Sequence, residues 1–183
     1  NQNGDYVFEN LPSGNNYVVT PTKSLNYLNG VSAYDLSKIN AHILGIEVFQ
    51  ETWQYIAADA NNSQHITVSD MVAIQNLILH NITMLPNGTP SWQFVPEDHA
   101  FSDPFNPWPF PANISMNNLS GDYLTADFLG IKVGDVTGNA DPSMFGENPD
   151  DRSADVIYFI VEDMTLKQGE SVEIDFSIDD ISA

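Results

Sequence analysis

Between Asp59 and Asp70 the chain reads DANNSQHITVSD, with oxygen-bearing side chains recurring at nearly every second position. A hard cation such as calcium takes about six to eight oxygens, and a twelve-residue loop provides them from its first, third, fifth, seventh, ninth and twelfth positions. Those positions hold Asp59, Asn61, Ser63, the main-chain carbonyl of His65, Thr67 by way of a water, and Asp70 as the closing bidentate carboxylate. Ile66, in eighth place, anchors the loop to a core. Gln64 stands sixth, where the pattern has glycine because the turn needs a positive φ; a side chain there costs about 1 kcal/mol and does not forbid binding. The competing reading is a polar turn before a helix, with no ion.

A second loop is divided. Counting back from Asp35 gives Ser24, Asn26, Leu28, Gly30 and Ser32, and Leu28 offers no side-chain oxygen. A distant stretch, GDVTGNA at 134–140, carries Asp135, Thr137 and Asn139 at first, third and fifth spacing and has no helix behind it. The expectation is that the halves meet, so that Ser32, Asp35, Asp135, Thr137 and Asn139 form a second calcium site and close the module end to end. Otherwise GDVTGNA is an acidic turn and Asp35 only a helix cap.

The elements that position these residues repeat. GVSAYDLSKINAHIL (30–44) lies over HITVSDMVAIQNLIL (65–79) at a constant offset of 35. The shared apolar positions fall three, four and seven apart, which predicts two amphipathic helices of about twelve residues. Leu36, Ile39 and Ile43 form one stripe and Met71, Ile74 and Ile78 the other, either closing on each other as core or serving as a partner-binding face. Each helix begins with a hydroxyl residue and an acid three places on, Ser32 with Asp35 and Thr67 with Asp70, much like a capping box. Phe128 and Ile131 in TADFLGIKVG have the spacing of a short third helix.

The flanks read as strands. GDYVFENLPSGNNYVVTP predicts a hairpin within residues 1–23, the end of a preceding β-sandwich repeat cut within a longer polypeptide. NADPSMFGENPDDRSA reads as a linker (142–155), and DVIYFIVEDMTLKQGESVEIDFSIDD as the first strands of another β-domain (156–183). An insertion at 86–120, rich in aromatics and proline, interrupts the module at 24–141. Its Trp92, Phe94, Phe101, Phe105, Trp108 and Phe110 serve either as a lid over the helices or as a sugar platform. The expected fold class is therefore mainly α: two loop–helix repeats and a short third helix, flanked by β-hairpins of neighbouring sandwiches.

Five Lys plus Arg against 25 Asp plus Glu give a formal charge of −20, which repels nucleic acid and anionic membranes and which a divalent cation relieves. No apolar run approaches the about 20 residues of a membrane span. With no cysteine, thiolate catalysis, disulfides and sulfur-ligated zinc are out. Glu97, Asp98, His99 and Asp103 are the one acid–base cluster in reach, without a supporting motif, and the reading is non-enzymatic. Sequons at Asn61, Asn81, Asn87, Asn113 and Asn118 are read as chance matches in an Asn-rich chain, since one falls inside the calcium loop.

The loop with Asp59, Asn61, Ser63 and Asp70, the repeated helix and the ILG and LIL tripeptides together resemble a type I dockerin. NGVSAYDLSKINAHILGI, YIAADANNSQHITVSDMVAIQNLIL, SWQFVP and ADFLGIKVGDVTGNA resemble more closely the enlarged dockerin-like modules of long secreted surface proteins. The resemblance implies a compact helical fold around one calcium ion, or two if the split site forms, and docking to a cohesin-like domain of the same or another chain. The first hairpin is similar to the end of a prealbumin-like repeat of adhesin stalks, and VEDMTLKQGESVEIDFSIDD to the start of a cohesin-like sandwich. The expected function is a calcium-stabilised structural or adhesive segment of an extracellular, cell-surface bacterial filament protein. The alternative is an interaction module binding a cohesin-like domain in trans, with assembly into a homopolymer.

Overall fold

The computed structural model describes residues 4–143. The expected linker, from residue 144 onward, and the cohesin-like strands of 156–183 lie outside the described residues. In chain order the elements are β1 (Asn15–Val19), α1 (Ala33–Ile43), α2 (Thr52–Ala58), α3 (Val68–Ile78), β2 (Trp92–Pro96), β3 (Ile114–Leu119) and β4 (Phe128–Lys132).

Helices α1 and α3 begin and end at the same offset of 35 as the sequence repeat. Both start with a complete capping box, Ser32 with Asp35 and Thr67 with Asp70, which satisfies main-chain N–H groups that the first turn leaves unpaired. They also stop alike. Gly45 and His80 both take left-handed φ, +67° and +55°, and fold the chain back onto the last helical carbonyls. The two helices pack on each other. Ile39 and Ile74 are wholly buried between them, and Leu36, Ile43, Met71 and Ile78 are half-buried against the same core. The predicted stripes are thus part of the packing.

The expectation of a mainly α fold is corrected: the described residues form three α-helices and four strands in two antiparallel pairs, β1–β3 and β2–β4, an α/β architecture. The third helix expected at Phe128 and Ile131 is strand β4, paired residue for residue with β2 from Trp92↔Lys132 to Pro96↔Phe128. Spacing of three is ambiguous over five residues, and the partner strand more than thirty residues away decides it. Gly130 faces Phe94 across the pair, where an added Cβ would lie 3.3 Å from the ring.

The opening stretch also pairs elsewhere. Asn15–Val19 is a strand, but its partner is Ile114–Leu119 of the insertion, and Tyr6–Phe8 form no strand. Pairing with the insertion supplies the hydrogen bonds that a marginal two-stranded hairpin would have made locally. The insertion's rings divide as well. Phe101, Trp108 and Phe110 pack against the helical core as a cover, whereas Phe105 is exposed with its edge on Tyr55. Trp92 is buried in β2 beneath the Lys23 ammonium, and Phe94 is half-buried beside it.

Helix α2 is an element that periodicity did not mark. Its Tyr55, Ile56, Ala57 and Ala58 are all buried, so there is no polar face to reveal a helical period. It is short, and it leads directly into Asp59.

Candidate functional site

The loop 59–70 is wrapped around two buried carboxylates. Asp59 and Asp70 are each fully inaccessible. Asp59 Oδ1 accepts the Ser63 N–H at 2.8 Å and Oδ2 accepts the Gln64 N–H at 2.7 Å. Asp70 Oδ1 accepts the Asn61 N–H at 3.1 Å, while Oδ2 accepts the Thr67 N–H at 2.9 Å and the Thr67 hydroxyl at 3.1 Å. Gln64 has φ +63°, the left-handed turn for which the pattern uses glycine. An ionised carboxylate has about four acceptor sites, two on each oxygen, so Asp59 Oδ2 and Asp70 Oδ1, with one donor each, keep a lone pair beyond these bonds.

Asn61 brings to the loop an acceptor that no protein donor meets. Its side chain is 9% exposed and its Nδ2 donates to Ser69 Oγ at 3.1 Å, yet its Oδ1 is buried without a hydrogen-bond partner. A buried acceptor left in this state costs about 1–3 kcal/mol. The third loop position is where an oxygen ligand belongs, and a cation would satisfy it. The same burial leaves no room for a glycan at the Asn61 sequon.

The divided loop closes in space. Asp35 Oδ2 accepts the N–H and hydroxyl of Ser32 at 2.9 and 2.8 Å. Its Oδ1 accepts the Val136 N–H at 3.0 Å, the Thr137 N–H at 3.1 Å and the Thr137 hydroxyl at 2.9 Å, across about a hundred residues of sequence. Asp135 is buried too; its Oδ1 accepts Thr137 and Gly138 N–H, and its Oδ2 accepts the Ala140 N–H at 2.8 Å. The correspondence with the intact loop extends to single atoms. The closing Asp receives the N–H of the third residue in both loops, from Asn61 and from Thr137, and the N–H and hydroxyl of its own helix cap. The fourth residues, Asn62 and Gly138, are both left-handed, at +54° and +74°. Asn139, the proposed fifth-position ligand, is solvent-exposed.

Residues to which the sequence assigns no role make the splice. Gly30, the counterpart of His65, lies so close to the Ala140 backbone that an added Cβ would be 2.6 Å from its Cα. Asn29 is buried, and its amide holds both main-chain groups of Asp141, accepting the N–H at 3.0 Å and donating to the carbonyl at 2.7 Å. Lys132 donates to the carbonyls of Tyr27 at 2.7 Å and Val133 at 2.9 Å, tying the two halves once more. Burial pushes its ammonium down to about 7, against the upward pull of Asp135 and Asp35. The Asn87 amide donates to the Asn61 carbonyl at 2.8 Å and steadies the intact loop.

Among the described residues, no three His, Asp or Glu side chains converge on one point. Each loop brings two carboxylates, and its other oxygens come from amide, hydroxyl and main-chain groups. That donor set suits calcium, which accepts neutral oxygens freely. Of the acid–base cluster in the insertion, Glu97, Asp98 and Asp103 are exposed, and Asp103 caps the Phe105 N–H.

The electrostatics set a pH dependence. Burial raises the Asp35 carboxyl above the ordinary 3.8, with the Asp135 charge adding and hydrogen bonds from Ser32 and Thr137 opposing. Burial raises Asp59 likewise, with Asp70 adding. In the interval above 3.8 the folded state therefore holds more protons than the unfolded state, so metal-free stability falls as pH rises through it. Melting of the chelated chain is expected to move upward as pH falls toward the ordinary carboxyl value of 3.8, and Asp59→Asn is expected to reduce that gain.

No protein-family model, curated protein or solved structure matches this chain.

Proposed function

We propose that this chain is a calcium-stabilised joint of an extracellular bacterial surface or filament protein, dockerin-like in its ion loops and placed between β-domains. The observation that carries the reading is the unpartnered Oδ1 of Asn61, buried at the third position of a loop whose first and twelfth carboxylates are also buried. The likeness of the divided loop at its closing carboxylate supports a second ion, held by Asp35, Asp135 and Thr137 with Ser32. In the joint, calcium neutralises carboxylates that are costly to bury and fastens residues 30–35 to residues 135–140. The joint is stiff with the ion and loose without it.

Calorimetric titration of calcium into the chelator-stripped chain, with thermal melts alongside, tests this. Two ions are expected. At a calcium concentration about 100-fold above the dissociation constant, each contributes about 2.7 kcal/mol, or about 5–10 °C of melting temperature. One ion would confine the metal to Asp59–Asp70 and overturn the closed joint. No binding would overturn the calcium reading entirely.

A second reading, docking of a cohesin-like β-domain in trans, is favoured by one feature. Val68, Val72 and Leu79 lie on one face of α3 or at its end, and are 62%, 49% and 60% exposed. Loss of binding to such a domain in a Val72→Asp variant that still takes up calcium would support it.

A further inference from the structure

Helix α2 is tied at both ends to the two candidate ion loops. Its C-cap is Asp59, the first ligand of the intact loop. Just before it, the Ala57 carbonyl accepts the N–H of Gly134 at 2.8 Å, and Gly134 immediately precedes Asp135. Near the helix start, the Gln54 amide is used on both sides. Its Oε1 accepts the N–H groups of Gln50 and Glu51 at 3.1 Å each, and its Nε2 donates to the Val136 carbonyl at 3.0 Å. Val136 in turn donates its own N–H to Asp35 Oδ1. The segment 134–136, which carries the front of the divided loop, is therefore fastened to one short buried helix at two points. That helix spans about 10 Å, and it ends in the first ligand of the other loop.

Resting on the calcium reading above, we infer that α2 couples the two loops, so that an ion in either raises the affinity of the other. Gln54 is the positioning residue that carries the coupling into the divided loop. The physical basis is ordering. An ion at Asp59 fixes the helix end, and through Ala57 and Gln54 it fixes residues 134–136. The second ion then meets a loop whose conformational freedom is already lost. Linkage makes the effect equal in both directions.

The test uses the full chain stripped with chelator and titrated with calcium in a calorimeter. Asp59→Asn and Asp135→Asn each leave one loop; each remaining ion is expected to bind on the order of tenfold more weakly than in the parent, by the same factor in the two variants. Gln54→Glu keeps the acceptor for the Gln50 and Glu51 N–H groups and adds a charge that suits a helix start, but it removes the donor to Val136. It is expected to bind two ions with that factor reduced, the Ala57–Gly134 hydrogen bond carrying what remains. Parent affinity retained in both single-loop variants would overturn the coupling, and they read it without touching Gln54. Undiminished coupling in a folded Gln54→Glu variant would overturn the route through this side chain. A parent chain that takes up no calcium, with no heat and no melting shift, would instead overturn the calcium reading on which the inference rests.

Discussion

Replacing Asp35 with alanine is expected to remove one calcium equivalent and, with calcium present, to cost about 3 kcal/mol of stability or more. The carboxylate is buried and accepts five hydrogen bonds, from the N–H and hydroxyl of Ser32, the N–H of Val136, and the N–H and hydroxyl of Thr137. The Thr137 groups can fall back on Asp135, which already accepts them. The main-chain N–H groups of Ser32 and Val136 have no such alternative, and each orphaned donor costs about 1–3 kcal/mol. In chelator the loss is expected to be smaller, since alanine also removes a carboxylate whose burial without a cation is unfavourable. Denaturant unfolding in both conditions separates the roles. A cap alone would give equal losses and unchanged calcium stoichiometry, whereas a ligand gives a larger loss with calcium and one ion fewer. Asp70→Ala is expected to behave alike at the other loop.

The second large effect is expected at Gly30. Alanine there meets two obstacles: a left-handed φ of +74°, and the Ala140 backbone 2.6 Å from the new Cβ. The first costs about 1–2 kcal/mol and the second about 1–3 kcal/mol, because a backbone neighbour cannot rotate away. Gly45→Ala is the control, having nearly the same φ, +67°, and nothing within 4 Å of the added atom. Chemical denaturation is expected to show a loss of about 1 kcal/mol for Gly45→Ala and about 3 kcal/mol for Gly30→Ala. Calorimetry should find calcium affinity reduced at the divided loop and not at 59–70. Equal losses in the two variants would mean that the splice tolerates the methyl group and that residues 30 and 140 do not clamp each other.

These two residues differ in how readable they were. Asp35 sits three places after a hydroxyl in a repeated pattern, so its type and position marked it before any fold was known. Gly30 falls among the loop positions counted back from Asp35, but nothing local marks it as a place where only glycine fits. Asn29, Gln54 and Lys132 belong with Gly30, since each acts on a main-chain group far away in sequence. Helix α2 was missed for a related reason, because burial on all sides erases the polar face that periodicity detects.

The sequence by itself determined what depends on short-range spacing. The two helices with their caps, the oxygen-bearing positions of the intact loop and those of each half of the divided one are patterns within about a dozen residues, and the repeat at an offset of 35 compares two such windows. Local geometry alone decides whether such groups face one another. The tertiary structure decided the rest. The strands of β2–β4 and β1–β3 find partners about 36 and 100 residues away, which turned an expected mainly α module into an α/β one. The divided loop is the sharpest case, because Asp35 and Asp135 can share Thr137 only after the whole intervening chain has folded. No periodicity encodes that closure. It follows from the packing of elements that bring residue 30 against residue 140, and the backbone there leaves room for nothing larger than glycine.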